Sequence, residues 1–257
     1  MVHGMTDPVH APTSFDAVYL SPHLDDVILS CGGQIAEQTA HGASVLVVTL
    51  AAGDPVATLS PFARELHEQW GLPEDVAARR AEDNRAVEQV GADVRHETTP
   101  DAIYRVRADD GAVLYPSLTA VFGAVHPDDP ARAAWVKAVS CLPPTNAVYA
   151  PLAIGGHVDH QLVRQVAETV FASKLAYYED FPYAARWVDR WRATWPRWRW
   201  HQQRWPLSEQ AVNARVEASL VYDSQVVMLG GSRPALANKI RRYIAARGGE
   251  CLWRLRR

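Results

Sequence analysis

Cysteine and long apolar runs are scarce in this chain of 257 residues, and each scarcity excludes a class of protein. The three cysteines, Cys31, Cys141 and Cys251, are far apart and odd in number, so they fit neither a disulfide framework nor a zinc ribbon. No apolar run approaches the ~20 residues that a membrane-spanning helix needs. Residues 1–14 lack the charged region and apolar core of a signal peptide. We therefore expect a soluble, cytoplasmic protein.

Acidic and basic side chains nearly balance over the whole chain but not along it. The 26 Lys and Arg residues stand against 29 Asp and Glu residues, which gives a formal charge of −3. Residues 186–257 carry 15 basic and 5 acidic side chains, or +10, and this leaves −13 for residues 1–185. With 48 % hydrophobic and 21 % charged residues, the chain has the composition of a folded globular protein.

Strand-like apolar runs alternate with helix-like segments through most of the chain. This alternation predicts a Rossmann-like α/β fold, a mostly parallel sheet with helices on both faces. We expect one domain over residues 1–257, in which a Trp/Arg-rich extension at 181–257 packs on an α/β core at 15–180. Strands are predicted at 16–20, 44–50, 94–97, 147–152 and 175–178, and helices at 26–40, 74–90, within 117–125, near 131–140 and at 158–172.

Two polar clusters directly follow predicted strands, where ligands bind in sheets of this kind. His23 and Asp26 are three residues apart across a turn into a helix, and His157 and His160 share one face of a helical turn. Two imidazoles and a carboxylate from different strand ends form a three-ligand metal site with open positions, which for zinc is the catalytic pattern. Asp25 would then lie beside the metal and take a proton from water, while the remaining histidine donates to a developing oxyanion.

A third cluster, His126-Pro127-Asp128-Asp129, resembles a metal motif in its letters only. It does not follow an apolar strand, because a helical stretch precedes it and a proline follows it. We predict a polar loop between helices, with an aspartate that caps the next helix.

At the first two clusters the chain resembles the PIG-L/LmbE family of zinc-dependent N-acetylglucosaminyl deacetylases. The first family motif, His-Pro-Asp-Asp-Glu, stands here as His23-Leu24-Asp25-Asp26-Val27. The second, His-x-Asp-His, is matched by His157-Val158-Asp159-His160. Residues 79–83 with 91–92, 222–225 and 248–253 look like further family segments. Leu24 replaces the usual proline, and this replacement loosens the turn. Val27 replaces the usual glutamate, so the site loses a side chain that would support the metal ligands.

The resemblance implies a hydrolase that removes an N-acetyl or N-acyl group from an N-acetylglucosamine-type amino-sugar conjugate, with one Zn²⁺ per chain. It implies that His23, Asp26 and His160 are the zinc ligands. By the same resemblance, Asp25 is the general base and His157 is the oxyanion stabiliser or acid.

Three further residues take roles from the resemblance. Asp159 would hold a histidine in orientation, and Arg79 and Asp101 would contact the sugar. For Arg79 an ion pair on the helix surface, with Glu82 or Asp83, is the alternative.

Six of the nine tryptophans lie between residues 187 and 205. The first four step by 4, 4 and 3 residues and predict one helical stripe with arginines between its members: Trp187, Trp191, Trp195 and Trp198. One interpretation is a helix that buries this stripe against the sheet. The other is a lid over the mouth of the site, where indoles stack on sugar or lipid and arginines meet anionic groups. Just before this segment, residues 178–183 are expected to direct their acids, Glu179 and Asp180, into the same crevice.

Two other functions remain open from the residues alone: a two-histidine, one-carboxylate iron(II) enzyme, and a sugar-binding module without catalysis. Arginine with aromatic residues also occurs in nucleic-acid binding, but the acidic chain and the hydrolase-type site argue against a nucleic-acid partner. We expect a small-molecule conjugate, with an anionic group as one option. Thiol-cofactor precursors, sugars of secondary metabolites and chitin-type oligosaccharides are all compatible, and the oligomeric state is not determined.

Overall fold

The computed structural model describes residues 13–55, 58–70 and 76–256. Residues 1–14, on which the signal-peptide prediction rests, lie almost wholly outside these ranges. The start of the helix predicted at 74–90 also lies outside them. Among the described helices, none combines the length and the apolar character needed to cross a bilayer.

Seven strands of the described residues form one sheet. The strands are β1 (Phe15–Ser21), β2 (Val45–Thr49), β3 (Asp93–His96), β4 (Thr145–Pro151), β5 (Leu175–Tyr178), β6 (Trp200–Trp205) and β7 (Glu250–Leu255). Their order in the sheet is β3-β2-β1-β4-β5-β7-β6. The first five strands of this order are mutually parallel, whereas β7 runs antiparallel to both β5 and β6.

Helices cover both faces of the sheet, as the alternating pattern predicts. The helices are α1 (Asp26–Ala40), α2 (Pro61–Trp70), α3 (Val76–Gln89), α4 (Leu118–Val121), α5 (Ala131–Ser140), α6 (Val158–Phe171), α7 (Trp187–Ala193), α8 (Glu209–Ser219), α9 (Asp223–Gly230) and α10 (Arg233–Arg247).

The two faces of the sheet belong to two cores. Val18 and Val48 pack into a core with residues of α5 and α6, whereas Tyr19 and Val47 pack into a second core with residues of α1 and α3. The two-residue period of a strand explains this division, because successive side chains point to opposite faces.

The C-terminal extension packs on the core and also widens its sheet. Helix α8 lies against α1, and its buried Arg215 donates to Glu250 of β7 at 3.0 Å. Both oxygens of Glu250 also accept from the backbone of α1, at Gly33 and Gln34. The same segment adds β6 and β7 to the sheet, two strands that were not predicted. The pairing of β5 with β7 joins residues 74 and 76 positions apart, beyond the reach of local patterns.

The predicted single helical stripe of tryptophans was wrong. Helix α7 contains only Trp187 and Trp191 and ends at Ala193, two residues before the peptide bond that precedes Pro196. Proline has no N–H and restricts the residue before it, so the helix cannot continue through this point. The interpretation in which the stripe is buried against the sheet was also wrong, because all four of its tryptophans are exposed.

Candidate metal centre and active site

The two polar clusters meet at the point where the order of the parallel strands reverses. Strand β1 pairs with β2 on one side and with β4 on the other, so the chain leaves β1 and β4 on opposite sides of a crevice. Crevices of this kind, beyond the carboxyl ends of the strands, are where open α/β sheets bind ligands. His23 follows β1, and His157 caps the helix that follows β4.

His23, Asp26 and His160 bring three donor atoms together. The Nδ1 atom of His23 lies 3.0 Å from Oδ2 of Asp26, and Nε2 of His160 lies 3.2 Å from the same oxygen. The donor atoms of this group all lie within 4.8 Å of one another. The backbone N–H of His23 also donates to Asp26 at 2.9 Å, which fixes the turn between β1 and α1.

Each imidazole of this group is held from behind by a buried carboxylate. Nδ1 of His160 lies 2.6 Å from Oδ1 of Asp180, and Nε2 of His23 lies 3.0 Å from Oδ2 of Asp159. A carboxylate on the far ring nitrogen is characteristic of metal-ligating histidines, since it fixes the tautomer and the ring orientation. Two histidines and one carboxylate are also a donor set that zinc accepts at catalytic sites.

The electrostatics at His160 also fit a divalent cation. Burial lowers the pKa of this imidazole, but Asp26 and Asp180 outweigh that effect and raise it to about 10. The carboxylates therefore stabilise positive charge at this point, as a site for a metal ion must.

A second possible group, His23 with His157 and Asp159, fits less well. Asp159 already accepts from the backbone N–H of Ala102 at 3.0 Å and from the buried guanidinium of Arg105. A carboxylate so engaged is suited to orient His23, the position that the family resemblance implies.

Arg105 connects the site to the cluster at residues 126–129. Its guanidinium bonds to Asp129 at 2.9 Å as well as to Asp159. Asp129 also accepts from the hydroxyl of Tyr115 at 2.7 Å and from the backbone N–H of Ala131, at the start of α5. This cluster is thus a loop between helices, as predicted. Pro130 holds the N-cap position of α5, and Asp129 precedes it and accepts from the first N–H of the helix. Through Arg105 the loop supports the candidate ligand group.

Asp25 lies at the N-terminus of α1 with a φ of 149°, a value that few residues other than glycine adopt. Its carboxyl group is buried, and burial together with the neighbouring Asp26 raises its pKa to about 8. Leu24, in place of the family's proline, is buried against Ala52 and Val76 and so anchors this turn.

His157 is a neutral hydrogen-bond donor at this site. Its Nδ1 accepts from the backbone N–H of Asp159 at 3.1 Å, which leaves the ring proton on Nε2. Burial and the nearby imidazole of His23 lower its pKa to about 4.

A cavity of about 300 Å³ opens onto these groups. Its wall combines polar side chains with an apolar side formed by residues of α2, α4 and α9. Asp159 and His160 are not among its lining residues. The six other sequence-predicted site residues line it: His23, Asp25, Asp26, Arg79, Asp101 and His157.

Arg79 and Asp101 both face the cavity. The Nε atom of Arg79 is buried without a partner among the described residues. The alternative ion pair is absent there, since Glu82 bonds to Ser224 and Asp83 bonds to other side chains. Asp101 caps a short helical turn through Ile103.

Three residues of the site were not predicted or were only partly recognised: Asp180, Arg105 and Tyr183. Asp180 follows β5, so the rule that identified the other clusters finds it. Its neighbour Glu179 points away and bonds to Tyr243 and Arg247, which corrects the expectation that both acids enter the crevice. Arg105 carries no local signal, because its partners are distant in sequence.

Tyr183 lines the cavity and packs against the turn that carries His157. A Cβ atom at Gly155 would lie 2.6 Å from its ring. The glycine is therefore required for this close approach of the Tyr183 ring. No tryptophan of the segment 187–205 lines this cavity, so the described residues do not support a lid.

Comparison with known proteins places these motifs in a wider context. The sequence matches the family model described as PIG-L: GlcNAc-PI de-N-acetylase over residues 18–171. It is 30 % identical over 187 residues to a 2'-N-acetylparomamine deacetylase from Niallia circulans, covering 65 % of this chain and 66 % of that protein. The chain thus spans just under two thirds of the length of that relative.

Two solved structures share the fold over nearly the whole chain. The zinc-inhibited form of teicoplanin deacetylase Orf2 superposes with a TM-score of 0.72 at 28 % identity, over 92 % of this chain and 96 % of that one. The A40926 pseudoaglycone deacetylase Dbv21 gives a TM-score of 0.70 at 27 % identity, over 95 % and 98 % of the two chains.

Proposed function

Because the chain belongs to the PIG-L family, we propose that it is a metal-dependent amidohydrolase that removes an N-acetyl or N-acyl group from an amino-sugar conjugate of the N-acetylglucosamine type. One observation carries the proposal. His23, Asp26 and His160 form a compact donor group, each imidazole is held by a buried carboxylate, and Asp25 lies one residue away in the same cavity.

We propose that these three residues hold one Zn²⁺ per chain. Zinc bound there would supply Lewis acidity, which makes water a better nucleophile near neutral pH and polarises an acyl carbonyl. Asp159 and Asp180 would keep the two imidazoles in the tautomers and orientations that ligation needs.

Asp25 is the proposed general base. Its carboxyl group lies in the cavity beside the ligand group but is not a member of it. Its pKa of about 8 is close to the operating pH, where one group can both accept a proton from the attacking water and give it back. It then returns this proton to the leaving amine as the amide C–N bond breaks, and the products are a carboxylic acid and the free amino sugar.

His157 is the proposed stabiliser of the oxyanion that forms when water adds to the amide carbonyl. Its Nε2–H is a hydrogen-bond donor in the cavity wall, because Nδ1 is occupied by the backbone of Asp159. A donor fixed in place before the reaction lowers the barrier without reorganising. Its low pKa favours this role over that of an imidazolium acid.

Arg79 and Asp101 are the proposed sugar contacts, and the Nε of Arg79, which has no partner among the described residues, supports this role. The names of the relatives refer to an acetylated paromamine, to teicoplanin and to a pseudoaglycone of an antimicrobial. They favour an acetylated sugar of a secondary metabolite over a thiol-cofactor precursor or a chitin-type oligosaccharide. A cytoplasmic location, a single domain and an anionic substrate stay predictions.

An amine-release assay tests this proposal. The full chain is stripped of metal with a chelator and offered N-acetylated sugars from the three substrate classes, each in neutral and anionic form where both exist. Zinc or iron(II) is added back in steps that begin below one equivalent, since a relative is described as a zinc-inhibited form. We expect acetate and amine in equal amounts, only after metal is restored.

The variant Asp25→Asn should keep the bound metal and lose about 10²- to 10⁴-fold in kcat, the usual contribution of a general base. Near wild-type turnover by this variant would refute the assignment of Asp25. Oxygen consumption with iron(II) would instead identify an oxygenase, and sugar binding without amine release would identify a binding module.

A further inference from the structure

The segment at residues 186–199 presents an aromatic surface to solvent. Its four exposed tryptophans, here called the tryptophan patch, are between 51 % and 74 % exposed: Trp187, Trp191, Trp195 and Trp198. Helix α7 contributes two of them one turn apart, and it has no buried side chain. The rings of Trp191 and Trp195 lie 4.9 Å apart.

The extent of this patch requires an explanation. An aromatic side chain carries about 150–250 Å² of surface, so the exposed parts of four indoles amount to on the order of 500 Å². This is about the size of the largest apolar patch on a typical single chain, and such patches are often functional. The active-site cavity does not supply the interaction, because none of these tryptophans lines it.

The charge around the patch is strongly positive. Five arginines and one acid, Asp189, lie in the segment. Arg190 and Arg197 are used within the protein, where they bond to the backbone of Ala184 and to Gln202. The three others are exposed beside the indoles, and Arg186 also pairs with Asp189 at 3.3 Å: Arg186, Arg192 and Arg199.

We propose that the tryptophan patch docks the protein on an anionic lipid bilayer. Indoles prefer the boundary between water and hydrocarbon, because the ring is apolar and its N–H is polar. The exposed arginines are complementary to anionic headgroups. The large exposed hydrophobic side chains of the segment are all tryptophan, a residue enriched where membrane proteins meet the boundary between lipid and water.

The position of the patch connects docking to the active site. Tyr183, which lines the cavity, belongs to the short helical turn Tyr183–Ala185 that leads into α7. A docked protein would therefore hold the mouth of its cavity close to the membrane surface. The reaction itself does not require docking, so turnover of a water-soluble substrate should not depend on the patch.

Vesicle binding tests the proposal with the full chain. The protein is sedimented with vesicles of phosphatidylcholine alone and with vesicles that also contain phosphatidylglycerol, at low and high salt. We expect binding to the anionic vesicles, weakened by salt, with a blue shift of tryptophan emission and quenching by brominated lipid.

Two variants separate the aromatic and the cationic contributions. Trp191→Ser with Trp198→Ser should lower the partition coefficient by more than tenfold and reduce the blue shift. Arg192→Gln with Arg199→Gln should lower binding to anionic vesicles by about fivefold per arginine and leave binding to neutral vesicles unchanged. Val227→Ser, which removes an exposed apolar side chain elsewhere, is the matched control and should bind as the wild type does.

Three outcomes would overturn the proposal. The first is an absence of wild-type binding to anionic vesicles, and the second is equal binding by the wild type and the tryptophan variant. The third is light scattering that shows a dimer for the wild type and a monomer for the tryptophan variant, since the patch would then join two copies of the chain. The arginine pair keeps the test valid if the tryptophan variant does not fold.

Discussion

Replacement of Asp180 by asparagine should weaken metal binding without changing any ligand. Two N–H groups donate to its two oxygens: Nδ1 of His160 at 2.6 Å and the backbone of Ile154 at 3.1 Å. An amide has one acceptor oxygen, so in either orientation its NH₂ group faces one of these donors. A buried donor without a partner costs about 1–3 kcal/mol. We therefore expect zinc affinity to fall by about 10- to 100-fold, the usual effect of losing a carboxylate behind a ligating histidine.

The measurement is a competition for zinc between the protein and a fluorescent chelator, made on wild type, Asp180→Asn and a control. Asp128→Asn is the control, because this carboxylate is exposed and lies outside the site. The control should bind zinc as the wild type does. If Asp180→Asn binds zinc within twofold of wild type, the carboxylate does not support the ligand, and the assignment of His160 as a ligand loses its main support.

Three further substitutions have defined effects. Arg105→Met leaves two buried carboxylates unpaired and should lower the free energy of unfolding by about 3–5 kcal/mol in a urea titration. Arg79→Met should raise KM more than it lowers kcat in the amine-release assay, whereas an equal fall of kcat and kcat/KM would place Arg79 in the chemical step. Gly155→Ala combines a φ of +92° with a Cβ atom 2.6 Å from the Tyr183 ring, so it should lower stability by about 1–3 kcal/mol. Gly156→Ala, with a similar φ of +79° but its nearest atom at 3.7 Å, should cost less, and an equal cost in thermal unfolding would contradict the steric argument.

The local signals of the core were strong enough to predict it. Helix α1 has the bounds that its apolar pattern and flanking residues predict, and β1, β2 and β4 differ from prediction by one or two residues at each end. Most residues of these strands are buried, so each strand is recognisable as a short apolar run in the sequence. The rule that ligands bind beyond strand ends predicts that His23 and His160 meet, and their rings lie 5.4 Å apart.

The supporting contacts could not be predicted in the same way. Arg105 reaches Asp159 and Asp129 across 54 and 24 residues, and nothing in its neighbourhood distinguishes it from an exposed arginine. The prediction of one helix through the tryptophan segment failed for a related reason. Its spacing is helical, but Pro196 ends the helix and no partner surface buries the indoles.

By itself, the sequence determined which residue types stand at the ends of β1 and β4, and therefore the chemistry that this protein can perform. Short-range periodicity carries that information, because strand and helix periods are local properties of the backbone. Only the tertiary structure decided which carboxylate supports which imidazole, that β7 pairs with β5, and that the tryptophan patch faces solvent. These are contacts between residues distant along the chain, and they depend on how the whole molecule packs.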